Sequence, residues 1–151
     1  MASILDVAEY FLSKVDLEAG ENMTHLKLQK LCYYAQAWHL AIHDTPLFDE
    51  KFQAWAHGPV SPTLYKKYAD YKWQPIEIPE YPEYDLSPGQ MEFLDDIWNV
   101  YGIYDAKYLE RLTHQEDPWL NARGNLPEGA YCTNVIDEED MKRYYREMTE
   151  D

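Results

Sequence analysis

The strongest constraint in this sequence is a stretch, residues 25–43, whose apolar side chains cover more than half of a helical circumference. One set of apolar residues recurs at i, i+3 and i+7, the spacing of a single helical face, and a second set widens that stripe. The sets are Leu28, Leu31, Ala35, Trp38 and Ile42, and Leu26, Tyr33, Ala37 and Leu40. Thr24 precedes them with a side-chain oxygen suited to an N-cap. We therefore predict a central helix around which the other elements pack.

Capping residues mark further helix starts. Ser3 stands three residues before Asp6, which is capping-box spacing. A residue with a cap oxygen is directly followed by proline at Ser61-Pro62, Ser87-Pro88 and Asp117-Pro118. Proline is favoured at the first helical position because an N–H there would have no partner within the helix. We predict helices that begin near residues 4, 62, 88 and 118, and two more after the caps Asp105 and Asp137.

Two segments favour short strands. Apolar and polar residues alternate near residues 52–57, which is the period of a strand. In "WQPIEIPEYPEYDL" three prolines exclude a regular helix, and "IEI" predicts an edge strand near 75–79. A chain of 151 residues is the size of one domain with a single core. The predicted fold class is mainly α: a compact multi-helix single domain over residues 1–151 with a small β element.

The charge of the chain limits its partners. Thirteen basic and 28 acidic residues give a formal net charge of −15, which repels nucleic acids and anionic membranes and attracts basic protein surfaces. The two cysteines, Cys32 and Cys132, lack CxxC spacing and are typical of reduced thiols in the cytoplasm. The first residues carry no basic leader, and no apolar run approaches a membrane span. We expect a cytoplasmic protein that binds neither nucleic acid directly nor a membrane.

Motifs for catalysis are weak. His39 and His43 are four residues apart and, with Asp44, form the best candidate metal site, but Leu40 stands where the glutamate of an HExxH motif would be. No serine lies in a GxSxG elbow, and no glycine-rich phosphate loop occurs. A metal-dependent hydrolase therefore stays a less favoured alternative. The sequence favours a protein that is not an enzyme and needs no cofactor.

Two other histidines adjoin aromatic residues and turns. In "AWAHGPVSPTLY" we interpret His57 as structural, its ring binding a backbone carbonyl while Gly58 and Pro59 reverse the chain. In "LTHQEDPW" we expect His114 to bind the last free carbonyls of a helix while Trp119 packs nearby. Contact with a partner is the alternative role for both histidines.

Tyrosines and acidic residues suggest a surface for a basic protein partner. Fourteen tyrosines exceed what one core needs, and the apolar body and polar tip of tyrosine suit protein interfaces. The segment 77–85 adds acidic residues with no basic neighbour in sequence. The candidate contact residues are Tyr65, Tyr68, Glu77, Glu80, Tyr81, Glu83, Tyr84, Tyr144 and Tyr145.

Three stretches together resemble the SocA-like antitoxin, or Panacea, domain: "THLKLQKLCYYAQAWHLA", "PLFDEKFQAWAHGPVSPTLYKKY" and "LTHQEDPW". The resemblance runs from about residue 4 to about residue 145, in the same order and spacing. It implies that the shared motif residues form a scaffold, while the contacts with a particular toxin lie in segment 77–85 and the two terminal helices. The scaffold residues are Leu28, Lys30, Leu31, Tyr34, Trp38, Trp55, His57, Gly58, Pro59, His114, Pro118 and Trp119.

The function implied by this resemblance is that of an antitoxin in a type II toxin–antitoxin pair of bacteria or their prophages. Such a protein neutralises a cognate protein toxin, encoded beside it, by direct binding. The alternative implied by the family is a proteolytic adaptor that delivers the toxin to a AAA+ protease such as ClpXP. Members often carry an additional DNA-binding segment, and no basic helix-turn-helix is visible in this sequence.

Overall fold

Helix α2 (His25–His43) is the element around which the others pack, as predicted. The computed structural model describes residues 1–149. The remaining helices are α1 (Ile4–Ser13), α3 (Pro62–Tyr68), α4 (Pro88–Tyr101), α5 (Ala106–Thr113), α6 (Asp117–Arg123) and α7 (Glu138–Glu147), and a 3₁₀ turn at Ala69–Tyr71 follows α3. Helix α2 packs against α1, α3, α4, α5 and α7. The predicted mainly α fold class is confirmed.

The β element is one antiparallel pair, β1 (Gln53–Trp55) and β2 (Gly58–Val60). The strand predicted near 52–57 is β1. The segment just before α7 pairs with the other edge of β1, where the Ala54 N–H donates to the Asn134 carbonyl at 2.8 Å. The sheet is therefore tied to the C-terminal part of the chain.

The prediction of a strand near 75–79 is wrong, because these residues lie in an irregular segment. Ile76 is buried and its N–H donates to the Met23 carbonyl at 2.7 Å, so the backbone at this point pairs with the loop before α2. Downstream, the N–H groups of Glu83 and Asp85 donate to the carboxylates of Glu9 and Asp6 on α1. We call residues 77–85 the acidic strap, because they cross α1 without forming a strand.

Predicted caps begin most of the helices. The side chains of Ser3, Thr24, Ser61, Ser87 and Asp105 each accept a hydrogen bond from the backbone N–H three residues ahead. Asp137 accepts from the N–H two residues ahead and caps α7. Each of these bonds satisfies a backbone donor that the first turn of a helix leaves unpaired.

The prediction that Asp117 caps a helix is wrong. Helix α6 takes Glu116 as its N-cap, Asp117 lies in the first turn, and no side chain caps this helix. The Glu116 carboxylate instead points into the core, where it accepts hydrogen bonds from the hydroxyls of Tyr34 at 2.8 Å and Tyr145 at 2.7 Å. One carboxylate thus joins α2, the start of α6 and α7.

This buried carboxylate lies among aromatic rings. Tyr34 stacks on Tyr101 with 4.1 Å between ring centroids, and the Trp38 indole N–H donates to the Tyr101 hydroxyl at 2.8 Å. Burial raises the pKa of the Glu116 carboxyl to about 7, although the hydrogen bonds from Tyr145 and Tyr34 act in the opposite direction. The cluster therefore contains a carboxyl group that titrates near neutrality.

Two further observations bear on the sequence predictions. Cys32 and Cys132 are both buried and free, and burial raises the pKa of the Cys32 thiol. Within residues 1–149, no helix combines the length and the apolar character needed to cross a membrane.

We expect Glu116→Gln to alter the pH dependence of stability. The native pKa lies above the ordinary value of 4.5, so the native state keeps a proton that the unfolded state has lost, and Glu116 contributes less stability as pH rises from 4.5 to about 7. Over this range the free energy of unfolding of the wild type should fall relative to that of the variant, by up to about 3 kcal/mol. Urea unfolding at several pH values measures the difference.

Glu147→Gln is the control, because this side chain is exposed. Its profile should run parallel to that of the wild type. A parallel profile for Glu116→Gln would contradict the expected titration of Glu116.

Candidate functional site

The motif "AWAHGPV" forms the β1–β2 hairpin, and its turn lies two residues earlier than predicted. Trp55 pairs with Gly58, so Ala56 and His57 make the turn, whereas Gly58 and Pro59 belong to β2. Gly58 has a φ of +109°, a conformation that residues with a side chain rarely adopt. The glycine allows the chain to leave the turn directly into β2.

Lys30 of α2 lies beneath the hairpin and is fully buried. Its ammonium group donates to the Pro59 carbonyl at 3.0 Å. Burial lowers the pKa of Lys30 to about 7, while attraction from Glu110 acts in the opposite direction. The lysine therefore joins α2 to β2 at the cost of desolvating its amine, and it has no solvent-exposed part for a partner to touch.

Because Gly58 has no side chain, it also leaves room for the side chain of Lys30. A Cβ atom at this position would lie 2.5 Å from Lys30 Cε and 2.9 Å from the Thr113 hydroxyl oxygen. The glycine is thus required twice, for its backbone conformation and for the close approach of α2 and α5.

His57 makes a different contact from the one predicted. Its ring does not bind a backbone carbonyl; Nδ1 donates to the Glu110 carboxylate of α5 at 2.7 Å, and 71% of the side chain is exposed. Burial alone would raise the pKa of Glu110, but hydrogen bonds from His57 and Lys107 outweigh it and hold that pKa below its ordinary value. Glu110 was missed in the sequence because no local pattern singles it out.

The opposite side of the hairpin is held by α6. The Trp119 indole N–H donates to the Trp55 carbonyl at 2.9 Å, and Arg123 donates to the Ala54 carbonyl at 2.9 Å. His114 stacks on Trp119 with 4.1 Å between centroids, and its Nδ1 donates to Glu128 at 3.0 Å. The prediction that His114 binds helix carbonyls is wrong. Pro118 is buried in the first turn of α6.

Outside the hairpin, aromatic residues border a shallow cavity of about 250 Å³. Trp55 and Tyr65 lie with ring centroids 4.9 Å apart, and Tyr65 is 42% exposed. Gln29 also lines this cavity, and its side-chain oxygen accepts a hydrogen bond from the Ser61 N–H at 2.8 Å. The half-exposed rings suit contact with a protein surface.

The nine candidate contact residues differ in their exposure to solvent. Glu77, Glu80, Tyr81, Glu83 and Tyr84 are exposed on the acidic strap, and Tyr65 is exposed on α3. Tyr144 is half-buried, whereas Tyr68 and Tyr145 are buried in the core. The strap thus carries five of the nine side chains, all of them exposed, on one segment of nine residues.

The histidine pair on α2 does not gather further ligands. His39 donates to the Thr45 carbonyl at 2.5 Å, and the rings of His39 and His43 both pack near Phe93. Asp44 instead pairs with Lys142 and, at 3.1 Å, with Arg146 on α7. Residues 1–149 contain no group of three or more His, Cys, Asp or Glu side chains arranged to hold a metal ion.

We expect Gly58→Ala to lower the free energy of unfolding by roughly 2–5 kcal/mol, since it adds both backbone strain and a clash. Gly20→Ala is the matched control: Gly20 has a φ of +82° with no atom within 4 Å of the added Cβ. It should cost only the strain, roughly 1–2 kcal/mol. Urea unfolding measures both values, and equal losses would contradict the role of Lys30 as the clashing neighbour.

We expect His57→Ala to lower stability, because it removes a bond that holds the Glu110 pKa down. That stabilisation is present above the ordinary pKa of 4.5 and is lost as pH falls through the lower native pKa. The loss of stability should therefore be larger at pH 7 than in acid, measured by thermal melting. An unchanged melting temperature at pH 7 would contradict this structural role of His57.

Comparison with known proteins identifies one family. Residues 28–120 match the family described as antitoxin SocA-like, Panacea domain. This range contains α2 from Leu28 onward, the hairpin, the acidic strap and the start of α6. Neither the curated proteins nor the solved structures gave a significant match.

Proposed function

Because the chain belongs to the SocA-like antitoxin family of the Panacea domain, we propose that it is the antitoxin of a type II toxin–antitoxin pair. It acts in the cytoplasm without catalysis and neutralises a cognate protein toxin by binding it directly. The family match over residues 28–120 is the observation that carries this proposal. The partner is the product of the adjacent gene, as the family implies.

The charge of the chain supports a partner with a basic surface. The formal net charge is −15, and the exposed strap residues Glu77, Glu80 and Glu83 form no ion pair within the described residues. Unpaired carboxylates of one sign attract a basic protein and increase its association rate. We assign the first contacts with the toxin to the acidic strap.

Exposed tyrosines supply the apolar part of this surface. Tyr81 is 80% exposed and lies between the acidic residues Glu80 and Glu83. Tyrosine buries much area at a low cost in side-chain entropy, so it strengthens a contact that charge alone would leave weak. Tyr84 on the strap, Tyr65 and Tyr144 are the remaining accessible candidates. The buried Tyr68 and Tyr145 belong to the scaffold instead.

The direct test is co-expression with the adjacent gene product. Growth should recover when both proteins are made, and the two should co-purify in a fixed ratio. A toxic neighbour that the chain neither rescues nor binds would contradict the proposed function.

Rescue in a protease-deficient host separates two modes of neutralisation. Direct occlusion of the toxin should protect cells that lack the AAA+ protease. The alternative mode, delivery of the toxin to a protease such as ClpXP, should lose its protection there.

We expect the triple variant Glu77→Gln, Glu80→Gln and Glu83→Gln to associate with the toxin roughly three to ten times more slowly at low salt. The matched control neutralises three other exposed acids that form no ion pair in the described residues, through Asp16→Asn, Glu18→Gln and Asp49→Asn. Both triple variants change the net charge equally, so only the strap variant should lose much of the rate. Stopped-flow binding measures it, and equal losses would refute a local role for the strap.

A further inference from the structure

An apolar groove lies between α2 and α4, and none of the residues that the sequence marked as contact candidates lines it. Its volume is about 230 Å³. The lining includes Trp38 and Ile42 of α2 and Phe93, Asp96, Ile97 and Val100 of α4. Asp96 is the only charged side chain among these residues. The groove belongs to the segment that matches the antitoxin family.

Two side chains of this groove are far more exposed than apolar residues inside a core. Ile42 is 58% exposed and Val100 is 57% exposed, and they lie on opposite walls. Trp38 and Phe93, which also line the groove, are half-buried. A single exposed apolar residue is ordinary, but several that line one concave surface are typical of an interaction site.

Unpaired acidic residues lie on the same helix. Glu92 and Asp96 are exposed one turn apart on α4, and neither forms an ion pair in residues 1–149. By contrast, Asp95 pairs with Lys14 of α1 at 2.6 Å. The acidic strap ends at residue 85 and α4 begins at Pro88, so the chain passes from one acidic segment to the next.

We propose that this groove binds the toxin through apolar side chains of the toxin flanked by lysine or arginine. The apolar side chains fill the space between Ile42 and Val100, and the basic residues pair with Glu92 and Asp96. The proposal rests on the proposed antitoxin function and extends it to a second contact, which continues from the acidic strap along α4. Apolar burial then holds the complex that the strap charges first attract.

A second copy of this chain is a poorer occupant. In a two-fold dimer the same surface meets itself, so the acidic residues that border one groove would approach those of the other. The formal net charge of −15 adds repulsion between two copies. The same charges attract a basic toxin.

The test is the affinity of an inactive variant of the adjacent gene product for the double variant Ile42→Ser and Val100→Ser. We expect the dissociation constant to rise at least about tenfold, because both substitutions remove apolar contact area. Both side chains are largely exposed, so the melting temperature should change little. Val135→Ser is the matched control, since Val135 is 56% exposed and lies outside the groove. It should bind like the wild type.

The charge of the groove is tested separately. Asp96→Asn should slow association and weaken its salt dependence, whereas Asp49→Asn should change neither. Hydrogen exchange of the complex should show added protection of residues 92–101. Protection confined to other segments would place the toxin elsewhere.

The outcomes separate this proposal from the proposed function. If the wild type binds the toxin and the groove variants bind it equally well, the groove proposal is wrong and the antitoxin function stands. If the wild type does not bind, the proposed function fails and the groove loses its occupant. If light scattering shows a dimer that Val100→Ser dissociates, the occupant is a second copy, and the proposal is overturned.

Discussion

The structure depends on the pairing of polar side chains on a helix that is buried on nearly every side. Each buried polar group of α2 must find a partner, because an unpaired one is costly away from water. Gln29 binds Ser61, Lys30 binds the Pro59 carbonyl, Tyr34 binds Glu116, and Gln36 binds Phe48 and Leu47. Their partners lie far away in sequence. The helix that supplies more of the buried apolar residues than any other element thus also fixes where the hairpin, the loop before it and α6 can lie.

Local chemistry could be predicted from the sequence, and long-range pairing could not. The caps at Ser3, Thr24 and Ser87 act within one turn, so neighbouring residues are enough to identify them. The prediction failed at Asp117 because the side chain of the true N-cap, Glu116, binds two distant tyrosines. It failed near 75–79 because Ile76 pairs with the loop at Met23. Both failures come from partners that no local window contains.

The candidate surfaces show the same division. Acidic residues of the strap were found because charge without basic neighbours is visible in sequence. Tyr145 looked like a surface tyrosine, yet its ring is fully buried, because α7 turns that side toward α2. Glu110 beneath the hairpin and Val100 in the groove were missed, since their roles depend on elements that meet only in the fold.

The attachment of the acidic strap has an evolutionary consequence. Its first residues follow a bond from the Ile76 N–H to the Met23 carbonyl, and its last residues are held by N–H groups of Glu83 and Asp85. Every non-proline residue has a backbone N–H, so these bonds do not depend on which side chains the strap carries. The strap can therefore change its charges and aromatic residues while its path over α1 stays the same. Under the proposed function, in which the strap contacts the toxin, a lineage can exchange one partner for another by substitutions here, with the core of the protein left intact.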